Sequence, residues 1–453
     1  MLLQFSVTNH RSIHGNAVLS LAATPDREFQ GSLLSPDGKR NILPVAAIYG
    51  ANAAGKSNVL HALDLMRSMV VGEYAKPLKD MPLPQEPFAF TDEEEPTKLE
   101  AIYFYEGIKY AFGFSFTREK IVEEYLYHWR NGREGLVFSR KDGAYIFREN
   151  KAEQMVLAGR TPENRLYLVT SNEWNNQETQ DAYLWFSRKL NTLQRDNGSY
   201  DQTLSELERN GGRKKKILRE MVIADLGIVD VKVSGSKEKP VIMTTHRLLD
   251  EDGNESDYDL LIQQESAGTQ RFFSRIGSWL KTLETGGTLI VDEIESSMHP
   301  LLTRHLIEAM QDKEINTNQA QLIFTTHDVG LLDQKLLRRD QIWFAEKNEK
   351  NAETDLYSLT DFSPRKGENI QKGYMQGRYG AIPFISGGEG LWQEQRNMTG
   401  APERRSVDLL CISSLQSFFL QGNGESKRLP VGSQSNQQGY EKPSRTISNK
   451  KLD

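Results

Sequence analysis

The sequence predicts an α/β fold built on a mostly parallel sheet that cradles a polyphosphate, and three stretches predict it. The first is the apolar run Val45-Ala46-Ala47-Ile48-Tyr49, then Gly50-Ala51-Asn52-Ala53-Ala54-Gly55-Lys56-Ser57, then a helical pattern from Asn58 to Met66. This is G-x-x-x-x-G-K-[ST] between a strand and a helix. The second is Gly287-Thr288-Leu289-Ile290-Val291-Asp292-Glu293, an apolar β-branched run that ends in two carboxylates, as a central parallel strand does. The third is Gln321-Leu322-Ile323-Phe324-Thr325-Thr326, which ends in His327-Asp328.

Each stretch carries chemistry. A loop of small residues curls so that its N–H groups point inward at phosphates, aided by the N-terminal end of the following helix. Gly50, Ala51, Asn52, Ala53, Ala54 and Gly55 are the expected cradle, with Lys56 reaching the β- and γ-phosphates, Ser57 completing a Mg²⁺ shell and Asn58 opening the helix. The loop pattern alone would also suit a glycine turn; the strand before it and the helix after it decide against that. Asp292 is expected to hold Mg²⁺ through water and Glu293 to orient and deprotonate an attacking water. His327, at a strand tip facing the ligand crevice, is expected to contact the γ-phosphate.

A fourth stretch, Glu265-Ser266-Ala267-Gly268-Thr269-Gln270-Arg271, opens another helical pattern. Serine, a small residue and glycine make an anion-binding helix start. It lies too close in sequence to the acidic strand to reach the same nucleotide easily, so another subunit's nucleotide is its expected target. This order of phosphate loop, S-x-G-x-Q signature, Asp-Glu strand, Glu295-Ser296-Ser297-Met298-His299-Pro300 and Thr-Thr-His-Asp strand resembles the ABC-class ATPase heads of the SMC, RecF and OLD (overcoming lysogenisation defect) group. Within it, the chain looks most like stand-alone prokaryotic AAA-type ATPases encoded beside anti-phage defence effectors. The resemblance implies a P-loop NTPase head of ABC type with an antiparallel β subdomain and a helical insertion. It further implies ATP and Mg²⁺ as cofactors and two heads that sandwich two ATPs, Ser266, Gly268 and Gln270 belonging to the signature offered by the opposite subunit. Asn9-His10-Arg11-Ser12 resembles the family's N-F-[RK]-S strand end, which implies that Arg11 and Ser12 lie near the nucleotide; His10 replaces the usual aromatic.

In chain order, residues 1–96 are expected to form the N-terminal half of the head, and 97–149 an antiparallel meander of about five strands, with period-two patterning broken by Glu106-Gly107, Asn131-Gly132 and Asp142-Gly143. Residues 150–255 are expected to be a mainly helical insertion, a lid or dimerisation domain, since heptads for long arms are lacking. Helical patterns there span 181–191, 201–210 and 213–226, with short strands or helix ends near 229–234, 240–246 and 256–263. Residues 256–386 complete the head, and 387–453, rich in Ser, Gln, Gly, Asn and Lys, are an expected disordered tail. Gln85 sits where related heads place a sensing glutamine, but no flanking pattern distinguishes it from a loop residue.

At 453 residues with 38% apolar content the chain can bury substantial cores. The net charge of -6 offers no global attraction for nucleic acid. Arg213-Lys214-Lys215-Lys216 is its densest cationic run, either a solvated helix face or a duplex-DNA contact. The single cysteine, Cys411, argues against a disulfide framework, and the absence of an apolar run of spanning length argues against a membrane, so a cytoplasmic protein is expected. No Asp-x-Asp pair follows His327, so a nuclease centre is not expected in this chain. The expected activity is ATP hydrolysis at sites shared by a homodimer or higher homo-oligomer. It would act as sensor or regulator of a separately encoded, Toprim-like nuclease in anti-phage defence. Alternatives are a repair or recombination ATPase that clamps duplex DNA and an ATP-stabilised scaffold with little turnover.

Overall fold

The computed structural model describes residues 1–383 apart from 27, 79–80, 93, 131, 194–199, 210–211, 224–226, 237–238, 250–252 and 366. The expected tail and Cys411 lie outside the described residues, as does part of the 131–132 turn. In chain order the elements begin with β1 (Leu2–Thr8), β2 (Ala17–Ser20), β3 (Val45–Tyr49) and α1 (Lys56–Val71). Then come β4 (Thr97–Tyr105), β5 (Ile108–Phe116), β6 (Ile121–Arg130), β7 (Arg133–Lys141) and β8 (Ala144–Phe147). The middle of the chain carries α2 (Lys151–Ala158), α3 (Tyr167–Glu173), α4 (Gln177–Arg188), β9 (Leu190–Leu193), α5 (Asp201–Glu208) and α6 (Arg213–Ile223). It continues through β10 (Ile228–Ser236), β11 (Lys239–Leu249) and β12 (Glu255–Leu261) to α7 (Ala267–Thr285), β13 (Thr288–Val291), α8 (Pro300–Gln311), β14 (Gln321–Thr325), β15 (Ile342–Lys347), β16 (Thr354–Ser358) and α9 (Ile370–Met375).

The central sheet has the order β16-β15-β3-β14-β13-β9, parallel except for the β15/β16 pair. Its strands are apolar at successive positions because both faces are covered. Val45, Ala47 and Tyr49 of β3 join Leu289, Val291, Leu322 and Phe324 in one core with Phe272, Phe273, Ile276 and Trp279 of α7 and Leu306, Ile307 and Met310 of α8. Ala46, Ile48, Ile290 and Ile323 point the other way, into a core shared with α1, α4 and the antiparallel sheet. There the Tyr103 and Trp185 rings stack with centroids 4.1 Å apart.

The antiparallel sheet has the order β2-β1-β4-β5-β6-β7-β8. The meander expected from period two is β4 to β8, and β1 extends it by pairing with β4, a partner distant in sequence. The 150–255 segment departs from the expectation at Leu190–Leu193, whose first half was expected to end a helix and which is a strand pairing in parallel with β13. After α6 the runs near 229–234, 240–246 and 256–263, expected as short strands or helix ends, form a three-stranded antiparallel sheet, β10-β11-β12. Short polar-flanked runs such as Leu-Asn-Thr-Leu take their conformation from the edge they dock on, which local pattern does not report. The fold class is the one expected, α/β around a phosphate loop, with an antiparallel β subdomain and an insertion.

Candidate functional site

The loop between β3 and α1 is shaped by two glycines. Gly50 has φ +155, and a Cβ there would lie 2.3 Å from the Ala345 carbonyl oxygen. Gly55 has φ +95, and its Cβ would meet Thr354 Oγ1 at 2.1 Å and Ser12 Oγ at 2.8 Å. Only glycine admits both the left-handed backbone and these approaches. Ala53 also adopts positive φ, and Asn52 and Ala53 are exposed at the tip. Lys56 is buried and folds back, donating from Nζ to the carbonyls of Gly50 (2.9 Å) and Ala51 (3.0 Å). Burial pushes its ammonium down to about 8, against the pull of Asp292, Glu293 and Glu295.

Because β14 lies between β3 and β13, the tip of β14 stands between the loop and the acidic pair. Ser57 Oγ donates to Asp292 Oδ1 at 2.9 Å, and Thr325 Oγ1 donates to the same oxygen at 2.5 Å while accepting from the Glu293 N–H at 2.8 Å. Glu293 has φ 47, a left-handed backbone uncommon for a side-chain-bearing residue. The Thr325 hydroxyl accepts from its N–H, the Ser296 N–H donates to its carbonyl at 3.0 Å, and the guanidinium of Arg275 on α7 donates to the carbonyls of Glu293 (3.3 Å) and Ile294 (2.5 Å). Arg275 is buried, which together with the Arg271 charge brings its guanidinium down to about 10. His327 is exposed, and its N–H donates to Glu295 Oε1 at 2.6 Å. Partial desolvation and the Lys56 charge lower the His327 pKa, so the imidazole is neutral at pH 7.

Ser12 abuts the loop. Its Oγ accepts from Asn58 Nδ2 at 2.7 Å and shares a 2.7 Å hydrogen bond with Thr354 Oγ1, which itself donates to the Ala54 carbonyl. Arg11 is turned to other partners, ion-paired with Glu86 and 2.9 Å from His61 Nε2. Gln85 is buried and donates to the Glu95 carbonyl. The signature lies at the start of α7, where Ser266 is the N-cap and accepts from Thr269 N at 3.1 Å. Gly268 passes close to the turn after β13, since a Cβ on it would lie 3.0 Å from the Ser297 carbonyl oxygen. Gln270 bonds to the carbonyls of Glu265 and Gln263. Lys56, Ser57, Asp292, Glu293 and the His327 backbone thus converge. Gly268 approaches the turn after β13 and Gln270 bonds to the chain before α7, and among the described residues neither they nor Ser266 bond to the phosphate loop.

Sequence inspection missed Thr325, Thr354, Arg275, Glu86 and His61. Thr325 lies in the third strand motif and could have been suspected from its place two residues before His327; the others have no local signal.

The donor set suits magnesium nucleotide. Backbone forced open by Gly50 and Gly55 forms the cradle, and Ser57 Oγ and Asp292 Oδ1 are hard oxygen donors of the kind Mg²⁺ takes. Lys56 and Arg275, the two strongly basic groups named here, are already desolvated, as charged groups of a water-poor site are.

Residues 45–333 match the family described as "AAA domain, putative AbiEii toxin, Type IV TA system". No curated protein matches the chain. Among solved structures, it is similar to the SMC head domain from Thermotoga maritima, at 14% identity and TM-score 0.36, covering 79% of this chain and 98% of that one. An SmcHead bound to the C-winged helix domain of ScpA matches at 12% identity and TM-score 0.37, covering 80% and 99%. The cbiO1 component of an ABC transporter complex from Clostridium perfringens matches at 10% identity and TM-score 0.23, covering 44% and 68%. Among the described residues no helix is long and apolar enough to cross a membrane. The family match spans more than half of the sequence, and the chain belongs to that AAA-domain family.

Proposed function

Taking membership of the AAA-domain family as premise, we propose that this protein is a Mg²⁺-dependent ATPase whose heads sandwich ATP across a homodimer or a higher homo-oligomer. It acts as the sensing or regulatory subunit of a cytoplasmic anti-phage system that controls a separately encoded, Toprim-like nuclease. The observation that carries the ATPase reading is the contact of Ser57 Oγ with Asp292 Oδ1 at 2.9 Å, which joins the phosphate loop to the acidic strand across an intervening strand. The defence role rests on the resemblance, and the toxin–antitoxin wording of the family description supports a paired component.

In this reading the loop N–H groups and Lys56 bind the polyphosphate, and Ser57 with Asp292 holds Mg²⁺. Bound Mg²⁺ supplies charge neutralisation at the phosphate oxygens. Lys56 leaves the Gly50 and Ala51 carbonyls to reach phosphate, regaining full protonation beside an anion. Glu293, fixed by Thr325 and Arg275, orients water and accepts its proton. His327, neutral, offers a hydrogen bond rather than a charge. Ser266, Gly268 and Gln270 complete the site of the opposite subunit, so assembly and turnover are linked.

The DNA-clamp alternative loses ground at Arg213-Lys214-Lys215-Lys216. Arg213 pairs with Glu206 and Glu284, and Lys214 with Asp230, which neutralises half of the run internally. The test is ATP turnover and native mass for wild type and Glu293→Gln, with and without ATP and duplex DNA. The expected result is turnover lowered at least about a hundredfold in Glu293→Gln, with ATP now trapping the doubled mass and DNA changing neither. Turnover stimulated severalfold by DNA would put the clamp ahead, and indifference of both rate and mass to Glu293→Gln would leave only the scaffold.

A further inference from the structure

The start of α7 is gripped from outside the nucleotide-binding core. Glu265, immediately before the Ser266 N-cap, has a side chain only 8% exposed, and its Oε1 accepts from two groups on β11: Thr244 Oγ1 at 2.5 Å and His246 Nε2 at 2.6 Å. The His246 ring is itself braced by Tyr258 of β12, with ring centroids 5.2 Å apart. On the other side, Gln270 Nε2 donates to the Glu265 carbonyl at 2.8 Å, and Gln264 Oε1 accepts from the Leu261 N–H at 2.9 Å. The segment between β12 and α7 is therefore tied at its side chains to β11, at its carbonyl to the second turn of α7 and at its entry to β12.

These ties converge on the residues that present Ser266 and Gly268, of which Ser266 is exposed and free to face another molecule. Two short hydrogen bonds to one carboxylate oxygen, one of them from a ring braced by an aromatic neighbour, fix a loop far more tightly than an N-cap alone. The β10-β11-β12 sheet hangs outside the central sheet, and its β12 residues are mostly exposed. It needs some reason to hold the one loop expected to act across a subunit boundary.

We propose that Glu265, clamped by Thr244 and His246 of β11, is a positioning residue for the signature, so that the β10-β11-β12 sheet sets the Ser266–Gly268 backbone for the partner subunit's nucleotide. This rests on the sandwich reading above. The sheet then becomes the route by which anything bound to its exposed surface changes assembly: displacing β11 by a hydrogen-bond length releases Glu265 and, with it, the signature. Glu265 touches no nucleotide in this scheme; it acts through Ser266.

The experiment compares Glu293→Gln with the double variants Glu293→Gln/Glu265→Ala and Glu293→Gln/Glu265→Gln. It reads ATP-driven assembly by native mass over a dilution series and amide hydrogen exchange without ATP. The expected result is that Glu265→Ala raises the protein concentration for half-assembly at least about tenfold, which is about 1.4 kcal/mol of assembly free energy. Exchange rises over 263–270 and not in the second half of α7, ATP binding by the single head changes by less than about twofold, and Glu265→Gln, which keeps an acceptor oxygen for Thr244 and His246, restores most of the assembly. Equal half-assembly in Glu265→Ala, or unchanged exchange over 263–270, overturns the proposal. A general rise in exchange across the head also overturns it, since that marks a structural role alone. If Glu293→Gln itself fails to assemble with ATP, the sandwich reading has failed and takes the proposal with it, an outcome the exchange data separate from failure of the clamp.

Discussion

At the scale of single residues, the site is governed by what burial does to charge. Lys56 has its ammonium lowered from 10.5 to about 8 by desolvation. A lysine whose folded pKa lies below its unfolded value destabilises the fold at pH values under the folded pKa, and that deficit fades as pH rises from about 8 toward 10.5. Lys56→Met should therefore raise the nucleotide-free melting free energy by on the order of 1–3 kcal/mol at pH 7, with the gain shrinking above pH 8, while ATP turnover is abolished. Denaturant titrations at pH 7 and pH 9.5 check the sign. Thr325 bridges Asp292 and the Glu293 N–H. Thr325→Val keeps the shape and removes the bridge, so turnover should drop about 10–100-fold with little change in ATP affinity. A variant with wild-type turnover would show that the bridge is dispensable. Lys56, Asp292 and Glu293 could be named from sequence because contiguous motifs hold them. Arg275 and Thr354 could not, since their partners lie on other strands and loops and nothing local marks the pairing, while for Thr325 only its place in the strand motif ahead of His327 was a hint.

At the scale of elements, α7 carries the most constraint. Its Gly277 lets α5 approach so closely that an added Cβ would lie 2.4 Å from the Thr203 backbone, and Thr203 Oγ1 caps the crossing by donating to the Phe273 carbonyl. Gly277→Ala should destabilise the head by about 1–3 kcal/mol despite the better helix propensity of alanine. A rise in stability would mean that α5 can shift aside without cost. The long apolar-periodic helices and the all-buried strands β3, β13 and β14 were legible because both sheet faces are covered and the pattern is unbroken. β9 was not, because a four-residue edge strand gains its conformation from β13 and not from its own composition.

At the scale of the whole molecule, net charge -6 and the internal pairing of Arg213 and Lys214 leave Lys215 and Lys216, both exposed, as the members of the basic run with no ion pair among the described residues. Lys215→Glu with Lys216→Glu should leave ATP turnover and assembly within about twofold of wild type. Retention on duplex DNA at about 150 mM salt should be absent in both proteins. Strong retention by wild type, lost in the double variant, would restore the clamp.

The sequence alone determined the order of chemistry along the chain: a phosphate loop after one buried strand, carboxylates after a second, a histidine after a third. Each depends on neighbours in sequence, where turn geometry and periodicity are local. Tertiary structure alone decided that β14 stands between loop and carboxylates, which makes Thr325 the link. It also decided that β1, paired with β2 on one edge, pairs with β4 on the other, and that β11 reaches over to hold Glu265. These are contacts between segments far apart in the chain, set by which apolar faces can be buried together, and that selection is made only when the whole core closes.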